Sequence, residues 1–505
     1  MQRKQLTLVI VSLLVVVLSV SLAYFTTQII GKGKDVSVTS TNLQIVFTDT
    51  DGEIAGADIE PGWQKTKTFT VQNNSKSEYK YNIVIKDLLN TFVTEGYLQY
   101  KITSTNGGYN MTEFKDIPKS SIATDTILAY SVVIPNGVTQ SYTIEFKYSN
   151  DESVDQSDDM GKKLSGTLFI TEGTEDPNKT LYNQLLVDKS TKLTRTDFGK
   201  VLTNDNTNTL YTSTEDSKTV YYFAGNATDN WVKFGKNESN QDLYWRIIRT
   251  NSDGGVRLLY HGTSTTATDA FINPNTAFNK TSYDPMYVGY MYGTSGSLVN
   301  NRKNTNSSTI KTTIDTWYAS NLEAKGYTKY LSTTAVYCND RSNPAGGYNT
   351  GNSRFYYGAY TRLDTNKTPS YDCTTTEDKF TADKSTGNGK LDHPIALMTP
   401  DEISFAGGLI WTNAPTWYYK NSANGSSTGS TWWWLLSPVD WRDSYPYVFF
   451  VGGSSNPGFL GSNGVDYTGA VRPAISLKSC VKYSSGNGSA SDPYTIKETA
   501  STSGC

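Results

Sequence analysis

Paired carboxylates are the chemistry this sequence offers most plainly. Asp401 with Glu402, and Asp440 with Asp443, each place two acidic side chains close together. That is the material of a general acid and its partner in hydrolases that open polymer linkages. The first pair has a second explanation. Thr399-Pro400-Asp401-Glu402 carries a capping residue, a proline suited to a first helical turn and a glutamate three residues on, which together read as a capping box. Imidazole chemistry has little material, because the histidines number 2, His261 and His393. The four cysteines, Cys338, Cys373, Cys480 and Cys505, form no C-x-x-C pair, which argues against a zinc or dithiol redox centre. Asp49-Thr50-Asp51-Gly52-Glu53 opens like a calcium loop but lacks the glutamate at the twelfth position, so a polar hairpin turn accounts for it. No metal and no cofactor are expected, and an enzyme is not the favoured reading.

Composition narrows the class further. The 505 residues are enough for two or three domains. A net charge of -3 gives no basic stripe for nucleic acid. Hydrophobic residues make up 37%, and the deficit is filled by Thr, Ser, Asn, Gly and 35 Tyr rather than by charge. With 12% aromatics the chain can still build cores, which points to an extracellular β-rich protein with long polar loops. An even cysteine count in an exported chain suggests disulfides. Three connectivities are open. The favoured one joins Cys338 to Cys373 across a loop of moderate length and Cys480 to Cys505, tying down the C-terminus.

Export is read from the N-terminus. Arg3 and Lys4 precede an uncharged run from Leu6 to Phe25, long enough to span a bilayer as a helix of about 30 Å. Residues 1–30 therefore read as a signal anchor helix or as a cleaved signal peptide, since Ser21-Leu22-Ala23 has the small-x-small cleavage pattern. Either way the basic flank stays inside. The rest then lies on the extracellular face, single-pass with the N-terminus in, or is secreted to the cell surface. Residues 6–25 are the membrane contact.

From 34 to 173 the pattern alternates. Val36–Val38, Leu43–Phe47, Lys67–Val71, Tyr81–Ile85 and Ser141–Phe146 read as strands with one buried face, and Asp51-Gly52 and Pro61-Gly62 as turns between strands. The expected fold is an all-β sandwich. The junction Ala23-Tyr24-Phe25-Thr26 and the segment from Ile59-Glu60-Pro61-Gly62-Trp63 to Val71-Gln72-Asn73-Asn74-Ser75 resemble the exported camelysin and TasA proteins of Firmicutes. That resemblance implies an assembling or spacer module on the cell surface.

Residues 174–217 read as a Thr-, Asn- and Asp-rich linker that partly packs on the next domain, with a short helical period at Leu181–Leu186. From 218 to 498 the signals mix. Ser252-Asp253-Gly254-Gly255 is a hairpin turn, Ile310, Ile314, Trp317 and Tyr318 form a helical stripe, and Thr399 starts a second helix. Strands follow at Trp432–Pro438, Val448–Val451 and Gly469–Leu477, giving an α+β domain before a tail at 499–505. WRIIR, MTPDEISFAGG, WWWLLSP, GAVRPAISLK and SSGNGSASDPYTI occur in this order. Together they resemble a domain of unknown function in surface proteins of gut Firmicutes. Its fold is similar to the C-type-lectin-like fold of formylglycine-generating enzymes and retroelement-diversified variable proteins. Cys338-Asn339-Asp340-Arg341 and Tyr371-Asp372-Cys373 fit that domain, which implies the first disulfide. The copper chemistry of formylglycine-generating enzymes does not carry over, because Cys480 and Cys505 stand too far apart in sequence. A calcium-dependent sugar triplet is also missing, because Ser455 precedes Asn456-Pro457.

What carries over is a display surface between Val439 and Ala470. Its candidate ligand-binding residues are Asp440, Trp441, Arg442, Asp443, Tyr445, Tyr447, Asn456, Asn463, Asp466 and Tyr467. Tyr, Trp, Ser, Gly and Asn are the composition of binding paratopes. Solvated loops with aromatics in local cores are the plainer account of the same residues. Trp432, Trp433 and Trp434 are expected in the core, with Trp433 facing away from its neighbours. The favoured function is an exported surface adhesin, a lectin-like recognition head on a sandwich stalk, binding an extracellular glycan or protein. A structural matrix or fibre component, assembled by strand exchange at an open sheet edge, is the alternative. A cell-wall hydrolase acting through the paired carboxylates is the second alternative.

Overall fold

The computed structural model describes residues 59–266, 270–342, 347–351, 354–419 and 431–500, together with the backbone of two strands, Val36–Ser40 and Leu43–Asp49. The run at 6–25 lies outside the described residues, as does most of the Asp49–Glu53 turn. Among the described residues no helix is long and apolar enough to cross a membrane. The chain forms two compact units that divide between Pro177 and Asn178. Both are mostly β-sheet with few helices.

The first unit is built from period-two alternation. One antiparallel sheet runs in the order Val36–Ser40, Leu43–Asp49, Gln64–Asn73, Thr139–Tyr148, Leu98–Ser104, Lys115–Asp116; a second places Tyr79–Asn90 between Ser120–Ile134 and Leu164–Glu172. Phe69, Val71, Tyr142, Ile144 and Phe146 of the first sheet share a core with Tyr81, Ile83, Ile85 and Leu168 of the second. The buried phenol of Tyr81 is satisfied inside that core, donating to Gln140 Oε1 at 2.6 Å. Buried hydroxyls need such partners to avoid a desolvation cost.

In the second unit the strand Asp242–Thr250, which carries WRIIR, pairs with Trp231–Lys236 and with Val256–Tyr260. Val256–Tyr260 then pairs with Pro473–Leu477, and that strand with Ile395–Leu397. A separate sheet holds Trp433–Arg442, Tyr445–Val451 and Leu460–Gly464, with the short strand Phe355–Tyr356 added beside Trp433–Arg442. The tryptophan triplet alternates as strand geometry requires. Trp432 meets Trp434 edge-on at 4.6 Å, Trp434 donates to the Thr276 carbonyl, and the Arg472 guanidinium lies over the Trp433 ring. The helix Thr309–Tyr318 starts at the Ser308 cap and buries Ile310, Ile314 and Tyr318.

One difference from the sequence-based expectation stands out. The stretch 174–217, expected to be a linker, belongs from Asn178 onward to the second unit. Thr180 caps a helix, Leu181–Asp188, whose Leu181 and Leu185 are buried, and Thr191–Thr194 pairs in parallel with Thr209–Glu215. Leu181, Leu185 and Leu210 enter the main core. The helical period at Leu181–Leu186 is the local signal for this packing, whereas the lone Leu210 in a polar stretch gives none. Of the two cystine pairings, Cys338–Cys373 is formed, with sulfurs bonded across 35 residues of chain. Cys480 is also disulfide-bonded, and its expected partner Cys505 lies outside the described residues.

Candidate ligand-binding face

The two acidic pairs meet opposite fates. Thr399 and Glu402 form the anticipated capping box at the start of Pro400–Phe405. The Glu402 carboxylate also accepts from Arg249 Nε at 3.0 Å and from Arg257 Nη1 at 2.8 Å. Arg249 extends the chain of charges to Glu215, 2.7 Å away. Beside it, Asp401 takes two bonds from Arg362, which reaches Asp340 as well. Burial alone would push the Glu402 carboxyl up, but Arg257 and Arg249 outweigh it and hold the group below its ordinary value. Only about 20 Å³ of space remains between these networks, room for roughly one water. Asp401 and Glu402 are thus fully engaged in holding the fold.

Asp440 belongs to an open arrangement. It lies in Trp433–Arg442, which turns into Tyr445–Val451 through Asp443 and Ser444, both at positive φ (52° and 60°). This is a two-residue turn with the twist that hairpins favour. Cross-strand register fixes the outward face. Asp440 stands opposite Tyr447, Arg442 opposite Tyr445, and Tyr447 opposite Gly464. On the other edge Tyr356 pairs with Asp440. Arg354 grips the Asp440 carboxylate at 3.0 and 2.7 Å, and Arg442 approaches to 3.6 Å. Each guanidinium also covers a tyrosine ring, Arg354 on Tyr356 at 4.6 Å and Arg442 on Tyr447 at 3.8 Å. Tyr356 in turn stacks on Tyr360. Asp440 is wholly buried, its Oδ1 has no partner, and burial raises its carboxyl above the ordinary value. The Arg354 side chain remains 44% exposed and that of Arg442 25%. Two cationic groups on aromatic platforms are therefore presented to solvent around one buried anion.

The ten expected residues divide by geometry. Arg442, Asp443, Tyr445 and Tyr447 share this outward face or its turn, with Asp466 half-buried beside Tyr445 and Tyr467 exposed, whereas half-buried Asn463 stands opposite buried Val448, on the other side of its strand. Tyr445 hydrogen-bonds Asp466, which also accepts from Ser282. Trp441 does not belong to the face. It is buried on the opposite side of the strand, and its indole donates to the Gly351 carbonyl at 2.8 Å. Asp440 lies beneath the surface, held by the arginines. Asn456 sits in the loop after Val451, at the far end of the strand from Tyr445, and the fold does not bring it to the cluster. Arg354, Tyr356 and Tyr360 are the residues that sequence reasoning missed. They come from the short strand Phe355–Tyr356 and the residues flanking it, some 85 positions upstream, brought in by pairing register, a distance over which no local pattern signals contact. The chain matches no family model, no curated protein and no solved structure.

Proposed function

We propose that this chain is an exported cell-surface binding and adhesion protein. In this reading the second unit is a C-type-lectin-like recognition head, the 34–173 sandwich its stalk, and residues 6–25 a membrane anchor or export signal. The observation that carries it is the outward face centred on Asp440, where Arg354 and Arg442 ride on Tyr356 and Tyr447, pair with the buried carboxylate and remain partly exposed. Rigid rings with adjacent guanidiniums are the composition of binding hot spots. Such a face suits an extracellular glycan or protein that offers acidic groups, because guanidinium binds carboxylate and sulfate in fork geometry.

The test is a binding screen of the full chain against glycan and extracellular-protein arrays, with Arg442→Ala and Tyr447→Ala as controls. Both side chains are partly exposed, so loss of binding reads as loss of contact. A ligand bound by the parent chain and weakened at least about tenfold in both variants is the expected result. Undiminished binding by the variants, or no ligand at concentrations on the order of tens of micromolar, would put the matrix-component reading in its place.

A further inference from the structure

A second candidate site lies on the second unit, away from the Asp440 face and independent of it. Two hairpin turns and the disulfide segment enclose a cavity of about 200 Å³. One turn follows Glu215, where Asp216 and Ser217 adopt positive φ; the other is the Asn251–Gly255 turn that the sequence marks. Cys373 and Tyr371 form part of the wall, so the Cys338–Cys373 bond fixes one side. A water needs roughly 10–15 Å³ of such space, and this pocket is many times larger.

Its floor is unfinished. Asn251 is only 6% exposed, yet neither its amide nitrogen nor its amide oxygen has a partner. The Tyr371 hydroxyl, also buried, is likewise unpartnered. Native folds rarely leave buried donors and acceptors unmade, and such exceptions call for a ligand or ordered water. Around this floor stand the carboxylates of Asp216 and Asp253, the Lys379 ammonium and the hydroxyls of Thr334 and Thr386. An anion would meet three carboxylates, counting Glu215. For a metal ion, no group of three His, Cys, Asp or Glu side chains is placed to hold one among the described residues. An uncharged ligand whose neighbouring groups each donate and accept fits the set better. The amide supplies a donor and an acceptor together, flanked by acceptor carboxylates and an ammonium donor.

We propose that this cavity binds a neutral sugar residue, with Asn251 reading two adjacent hydroxyls and Asp216 or Asp253 accepting from a third. The experiment is titration of the full chain with methyl glycosides of neutral hexoses and of N-acetylhexosamines, followed by calorimetry and by protein NMR shifts. The parent chain, Asn251→Ala, Asp216→Ala and Tyr447→Ala are compared. The expected result is saturable binding to at least one glycoside, weakened tenfold or more by Asn251→Ala and several-fold by Asp216→Ala. Tyr447→Ala should bind it like the parent, which separates this site from the Asp440 face. Asn251→Ala should melt no lower than the parent, because the amide it removes makes no hydrogen bond in the fold. No glycoside bound at tens of millimolar, or binding unchanged in Asn251→Ala, would overturn the assignment.

Discussion

Glu402 and Asp440 are both fully buried acids in the second unit, each gripped by two arginines, and the fold uses them differently. Glu402 is closed on every side. Arg249 and Arg257 are themselves almost entirely buried, and the backbone N–H of Thr399 completes the carboxylate. Asp440 is closed on one side only. Its arginines reach solvent, and one of its oxygens is left without a partner. The contrast teaches that burial of an acid does not reveal its role. The exposure of its counter-ions does, because only an ion pair with a wet partner can exchange that partner for a ligand.

The largest expected effect tests the closed member. Glu402→Ala leaves two buried guanidiniums short of a partner and removes half a capping box. Loss of one partner from a buried pair costs about 3–5 kcal/mol. Glu402→Gln keeps a side chain able to cap but not the charge, and should recover only the cap, about 1 kcal/mol. Urea melts at neutral pH would read both. If Glu402→Ala cost less than about 1 kcal/mol, the network would not hold the fold and the comparison would fail.

Next in size is the open member's effect on ligand. Arg442→Ala and Tyr447→Ala should each lose about 1–3 kcal/mol of binding, the range of an interfacial hot spot. Their stability should change by less than about 1 kcal/mol, since both side chains are partly exposed. The paired readout of affinity and melting temperature sharpens the contrast with Glu402→Gln, which should do the reverse. Equal losses of stability across the three variants would erase it.

Proton linkage separates the two acids in sign. Glu402 has its folded value depressed, so its contribution is present above the ordinary carboxylate value, about 4.3. It is lost as pH falls through the lower folded value. Asp440 has its folded value raised, so its contribution is fully present below about 3.9 and is lost as pH rises through the folded value. The parent chain should therefore lose stability relative to Asp440→Asn as pH climbs from about 4 toward neutrality. Melts of the two proteins across that range decide it; parallel curves would mean that the arginines already neutralise the cost of burying Asp440.

How much of this was legible depended on the range of the interaction. The strand pattern of Lys67–Val71, Tyr81–Ile85 and Ser141–Phe146 is local, and each stretch lies within an observed strand. The capping box at Thr399 is four residues long and could be read outright. The tryptophan alternation follows from strand geometry alone. The arginine partners of Glu402 lie some 150 positions away, and nothing near MTPDEISFAGG names them. Trp441 looked like a contact residue because its composition is that of a paratope, but strand parity sends it inward while Asp440 and Arg442 turn out. Composition points only to a stretch of chain; which of its residues share a face follows from the register.

The smallest expected effect tests that register. Gly464 stands opposite Tyr447, and a Cβ there would come within 2.4 Å of Tyr445 Cε1 and 3.2 Å of Tyr467 Cδ2. The clash is with the ends of two side chains rather than with backbone, so Gly464→Ala should cost only about 1 kcal/mol of stability. The Tyr445 ring must still move, and its hydrogen bond to Asp466 with it. A ligand that rests on Tyr445 should bind several-fold more weakly to Gly464→Ala, although no group touching it has been altered. A ligand held by Arg442 and Tyr447 alone should bind as before. Affinity of Gly464→Ala, set against Tyr445→Phe, which keeps the ring in place but lacks its hydroxyl, therefore reports how far along the hairpin the binding face extends.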